Sequence, residues 1–142
     1  MEVQVSIRVP VDPATAFAVF TDGIGGWWRD YYNAPDATGI RLEPGVGGRL
    51  MELEEAGEGF EVGRVTAWEP GRRLVLTWRQ ADWAADESTE VEVTFAPAEG
   101  GTRVALEHRG WDEVSSDPTA GEGYVDGWAE LLDWYAGAAA AG

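Results

Sequence analysis

Hydrophobic and polar positions alternate with a period of two along most of this chain and change to a helical period near its end. Val3, Val5, Ile7 and Val9 alternate with Glu2, Gln4, Ser6 and Arg8, which predicts a strand with one buried face. Pro10 stops it. Asp12-Pro13 then offers an N-cap and a proline at the first helical position, so a short helix follows. Its apolar side is Ala16, Phe17, Val19 and Phe20, and it ends near Thr21, before Asp22-Gly23. Gly25-Gly26 turns the chain into WWRDYY, residues 27–32, a segment too aromatic for an ordinary connector. It is either a plug over one end of the core or the wall of a pocket.

From Thr38 onward the pattern predicts strands over 40–43, 49–54, 60–68, 72–79, 90–95 and 102–109. Turns at 44–48, 56–59, 70–71 and 97–101 and a loop at 80–87 separate them, and the short connections imply antiparallel neighbours. Leu74, Leu76 and Trp78 share one face, and Gly63 marks a bulge or a close backbone approach. In the stretch 123–135, Tyr124, Val125, Trp128, Leu131, Leu132 and Tyr135 form one stripe of a helix, while Asp126, Glu130 and Asp133 face water. Such a helix is marginal alone, so its apolar stripe packs on something larger. The GAAAAG tail after Tyr135 reads as frayed helix or disorder. The sum is one α+β domain over 1–137 with a frayed end at 138–142: about seven strands curved around a long C-terminal helix.

Composition narrows the function. The 142 residues fit one domain with its own core. No run of eighteen apolar residues and no basic segment before an apolar one predicts a membrane span or a signal peptide, so the default location is cytoplasmic. Zero cysteines exclude disulfides and thiolate chemistry. A formal charge of −16 repels phosphate backbones and argues against nucleic acid as partner. All ten basic residues are arginine, which removes lysine Schiff bases and the P-loop lysine.

The chemistry left is sparse. One histidine cannot build the common multi-histidine zinc sites, and the acidic clusters lack a calcium-loop spacing, so no metal or cofactor is expected. No serine, including Ser115 and Ser116, sits in a nucleophile elbow, and Gly45-Val46-Gly47-Gly48 joins two strands rather than opening a helix. His108 is in phase with Val104 and Leu106 and points inward at a strand end. It is either a histidine bonded to its neighbours or a group that orients a ligand or exchanges a proton. Glu52 shares the interior if Leu50 faces inward and is solvated if Met51 and Leu53 do. Eight tryptophans exceed the needs of a small core, and Trp28, Trp78 and Trp128 lie on three separate apolar stretches that either fill or line a space.

The order of elements, with Gly47-Gly48, Gly63-Arg64-Val65 before Glu69-Pro70, and Arg73-Leu74-Val75-Leu76-Thr77-Trp78, carries a resemblance. Gly101-Thr102-Arg103-Val104 through Leu106-Glu107-His108, and Gly127-Trp128 with Leu131-Leu132, extend it. The chain resembles the SRPBCC superfamily of START-like, helix-grip folds over nearly its whole length. Within it, the chain is most similar to the group named for the C-terminal domain of the activator of the heat-shock-protein-90 ATPase. The order of elements is a strand, two short helices, six strands and a long helix. The resemblance implies a deep cavity between sheet and C-terminal helix, used in the superfamily for apolar molecules, with Trp28, Trp78, His108 and Trp128 around it. It does not imply chaperone stimulation.

The expected function is binding of an apolar or aromatic small molecule, with no catalytic residue assigned. The candidate contacts are Trp28, Tyr32, Leu50, Trp78, Leu106, His108, Trp128 and Leu132. The alternatives are a polyketide cyclase or dehydratase with His108 as acid/base, and a module that binds a chaperone or regulator.

Overall fold

The structure, a computed structural model, describes residues 2–29, 31–114, 121 and 123–141. Asp30 of the aromatic segment, Ser115, Ser116 and Gly142 lie outside the described residues. Among the described residues there are seven strands: β1 (Val3–Val9), β2 (Ala37–Leu42), β3 (Arg49–Glu54), β4 (Gly57–Glu69), β5 (Arg73–Trp78), β6 (Thr89–Ala98) and β7 (Gly101–Arg109). All pairs are antiparallel in the order β1-β7-β6-β5-β4-β3-β2. The first helix, α1 (Pro13–Thr21), is followed by a 3-10 turn at Ile24–Gly26, and that turn is the second of the two short helices expected. The closing helix is α2 (Tyr124–Ala141). This is the α+β helix-grip fold.

The sheet curves because β4 carries residues its neighbours do not match. Leu50 and Met51 of β3 pair with Gly63 and Glu61, leaving Val62 extra. Gly59 is extra against β3 in the same way, and Thr66 against β5. Each extra residue bends the strand and increases its local twist. The bulges explain how Val62 and Val65, three apart, both reach the core. A regular strand over 60–68 would have put them on opposite faces. Gly63 is the close approach its position suggested: a Cβ there would lie 1.7 Å from the carbonyl oxygen of Thr77.

Both helices cover the concave face of the sheet. Phe17 of α1 packs edge-on against Trp68 and Phe95, at 5.1 and 5.2 Å between ring centres. Phe20 meets Phe95 and Tyr135 of α2. The Tyr135 hydroxyl is buried and donates to the carbonyl of Ala16 at 2.8 Å, so one hydrogen bond ties α2 to α1. Burial pushes that phenol upward from its ordinary range.

Several boundaries differ from the sequence reading. β2 starts at Ala37, and the turn before β4 shrinks to Glu55-Ala56, because Glu54 pairs with Gly57. The β6–β7 hairpin closes on Glu99-Gly100, since Ala98 pairs with Gly101. Val125 is 50% exposed and leaves the α2 stripe, while fully buried Ala139 joins it. The helix therefore continues beyond Tyr135 with a packed residue, where the alanine-rich tail by itself predicts fraying.

Candidate functional site

Three tryptophans from three elements meet at one end of the core. Trp78 closes β5, Trp128 lies in the second turn of α2, and Trp28 follows the 3-10 turn, its backbone N–H bonded to the carbonyl of Ile24 at 3.0 Å. Their ring centres are 6.0 Å (Trp28–Trp78), 6.1 Å (Trp28–Trp128) and 5.1 Å (Trp78–Trp128) apart. The aromatic segment divides its work. Trp27 is a plug, buried against Phe20 and Tyr135 with its indole N–H on the carbonyl of Val19, whereas Trp28 is a wall.

Above this triad opens a cavity of about 370 Å³, lined by Trp28, Tyr31, Tyr32, Asn33, Trp78, Gln80, Gly123, Tyr124, Gly127, Trp128 and Leu131. Below it, among Phe20, Leu50, Leu76, Val91 and Val93, only a crevice of about 10 Å³ remains. The same three indoles border both spaces, so they form a floor. The deep interior between sheet and helix is filled, and the open space lies at the end of α2.

The floor is braced by His108, which is fully buried. The Trp128 indole N–H donates to His108 Nδ1 at 3.0 Å, which makes Nδ1 the acceptor nitrogen. The proton then sits on Nε2, 2.6 Å from Thr89 Oγ1, and the Thr89 hydroxyl donates in turn to the carbonyl of Trp78 at 3.3 Å. The Trp111 ring packs against the imidazole, 4.1 Å between ring centres and tilted by 39°, and its N–H donates to the His108 carbonyl at 3.1 Å. With both nitrogens used and water removed, burial holds the imidazole at a pKa of about 3, far below its ordinary value, so it is neutral.

One wall of the cavity is held by a buried carboxylate. Leu50 faces the core and Glu52 shares its side, 1% exposed. Glu52 accepts from the backbone N–H of Asn33 at 2.7 and 2.8 Å, from Asn33 Nδ2 at 2.8 Å and from the N–H of Ala34 at 2.7 Å. Asn33 Oδ1 accepts from the N–H of Ala81 at 3.0 Å, which fastens this segment to the loop after β5.

Of the residues singled out from the sequence, Trp28, Tyr32, Trp78 and Trp128 line the cavity. Leu50 borders the crevice below it. Leu106, His108 and Leu132 are buried in the packed core beneath, where Leu106 is 1% exposed and Leu132 also 1%. His108 is thus in contact with the wall residues Trp78 and Trp128 rather than part of the wall. Tyr31, Asn33, Gln80 and Leu131 also line the space, and of these only Leu131 carried a periodic signal.

No helix among the described residues is long and apolar enough to cross a membrane. Comparison with solved structures gives matches over nearly the full chain. MLL2253 from Mesorhizobium loti is 22% identical with a TM-score of 0.74, covering 97% of this chain and 96% of its own. The Aha1 protein of Colwellia psychrerythraea, solved as a dimer, is 20% identical with a TM-score of 0.71, covering 99% and 96%. At those identities the likeness shows a shared fold. CalC of Micromonospora echinospora, a self-sacrificing resistance protein, is 28% identical with a TM-score of 0.69, covering 97% and 93%. No curated protein matches the chain. The family model described as "Activator of Hsp90 ATPase homolog 1-like protein" matches residues 10–135. With that match, and with a helix-grip fold built as its solved relatives are, the chain belongs to the Activator of Hsp90 ATPase homolog 1-like family of the SRPBCC superfamily.

Proposed function

We propose that this protein binds an apolar or aromatic small molecule in the cavity above the tryptophan floor. The observation that carries the reading is the composition of the walls: Trp28, Trp78, Trp128, Tyr124 and Leu131 around about 370 Å³. That volume lies within the range of small-molecule sites, which are mostly apolar with a few placed polar groups. The floor's indole N–H groups are already bonded inside the protein, to Tyr31, Tyr124 and His108, so it offers a ligand mainly ring faces. The helix-grip fold commonly takes hydrophobic ligands, which agrees. A reading as a cyclase or dehydratase needs His108 to exchange a proton with substrate. Its two engaged nitrogens and its depressed pKa favour binding over catalysis.

Gly127 supplies the test. It lines the cavity, and a Cβ placed on it meets nothing within 4 Å. Gly127→Phe therefore fills the space from a helical position without backbone strain. A hydrophobic dye excited by energy transfer from tryptophan should bind the native protein and lose that binding in Gly127→Phe. Val125→Phe, on the exposed side of the same helix, should keep it. Equal dye binding by both variants would overturn the proposal.

A further inference from the structure

Gln80, in the loop after β5, has an amide whose direction is set by a relay. The Trp78 indole N–H donates to the Tyr124 hydroxyl at 3.1 Å, and that hydroxyl donates in turn to Gln80 Oε1. The carboxamide oxygen is thus turned to Tyr124, and the NH₂ group is turned away from it. Among the described residues Gln80 Nε2 has no hydrogen-bond partner in the protein, although the side chain stands on the cavity wall. The Asn33 amide nearby is committed to Glu52 and Ala81.

We infer that Gln80 is a specificity-determining residue, and that the ligand is an aromatic molecule carrying a neutral hydrogen-bond acceptor, a ketone, quinone or ester carbonyl, directed at Gln80 Nε2. The inference rests on the binding reading above and adds the chemical class. An NH₂ group is donor only, so its partner on the ligand is an acceptor oxygen. A donor left without a partner in a desolvated site is penalised, so a pure hydrocarbon forfeits affinity there. A carboxylate would supply the oxygen too. The formal charge of −16, however, sets a negative potential against anions and favours the uncharged acceptor.

The test is isothermal titration at pH 7 with 2-acetylnaphthalene, 2-ethylnaphthalene and 2-naphthoate, against the native protein, Gln80→Leu and Gln80→Glu. Gln80→Glu keeps an acceptor for Tyr124 while removing the donor, so it serves if the leucine variant fails to fold. The quantity read is the preference for the ketone over the ethyl compound, which cancels the differing hydrophobicity of the two when compared between proteins. The native preference should exceed that of either variant about two- to tenfold, the range of one net hydrogen bond. An unchanged preference with both compounds bound overturns the role of Gln80 and leaves the cavity reading intact. Failure of both to bind any of the proteins overturns the two together. Tighter binding of 2-naphthoate than of 2-acetylnaphthalene by the native protein overturns the neutral-acceptor class.

Discussion

The Trp128 indole N–H points at the imidazole of His108, 3.0 Å from Nδ1, and thereby fixes which nitrogen of a fully buried histidine carries the proton. A proton added to Nδ1 would face that N–H donor head-on. The pair therefore joins α2 to β7 only while the histidine is neutral.

Stability should consequently depend on pH above the carboxylate range. Burial lowers the His108 pKa from 6.5 to about 3, so between those values the unfolded chain takes up a proton that the folded chain refuses. The stabilisation is complete above the unfolded pKa and is lost as pH falls toward the folded one. From pH 7 to pH 5 the expected loss is about 2 kcal/mol. Half-buried carboxylates held low by arginine, such as Glu43 beside Arg49, act at lower pH, below the ordinary glutamate value. Urea midpoints at pH 7 and pH 5 for the native protein and His108→Gln isolate the effect, which the variant should lack. Equal losses in both would mean that the imidazole titrates freely in the folded state.

Glu52 should matter more than an ordinary strand glutamate. Glu52→Gln replaces one acceptor oxygen by a donor that faces the N–H groups of Asn33 and Ala34. Loss of hydrogen bonds to a buried charge predicts destabilisation of ~2–3 kcal/mol. In the variant the amide protons of Asn33 and Ala34 should be accelerated more than those of β6, because the carboxylate is what holds them. Unchanged exchange at both amides would refute the clasp.

The end of α2 offers a third check. A stop after Gly137 removes Ala139, which is fully buried. Loss of that methyl and of the last helical turn should lower stability by about 1 kcal/mol, seen as an earlier denaturant midpoint with an unchanged slope. A truncated protein as stable as the full chain would restore the frayed tail expected from composition.

How much of this was legible in the sequence depends on how far apart the interacting residues lie. The α2 stripe was readable because Trp128, Leu131, Leu132 and Tyr135 recur at helical spacing. Val125 sits at the stripe's edge, where periodicity alone does not decide a face, and Ala139 is too small to register as apolar. The inward direction of His108 followed from its phase with Val104 and Leu106. Its partners, Thr89 and Trp128, stand 19 and 20 residues away and meet it only in the fold. Glu52 was undecided because Leu50 and Met51 are both buried, on opposite faces of β3. Asn33 and Gln80 are loop residues with no periodic signal, and their part in the wall comes from which hydrogen bonds they form.

The pairing of β1 with β7 governs the order in which the molecule can be assembled as it is synthesised. Strands β2 to β7 each find a partner in the strand just before or after them, so that meander can form hairpin by hairpin while the chain emerges. β1 cannot join it early: Val3 faces His108, and about a hundred residues must leave the ribosome before that contact exists. β1, with its row of valines, waits with its backbone unpaired until β7 has been made. It is the segment for which a holding chaperone has the longest window, and the strand most open to a neighbouring chain if β7 is delayed.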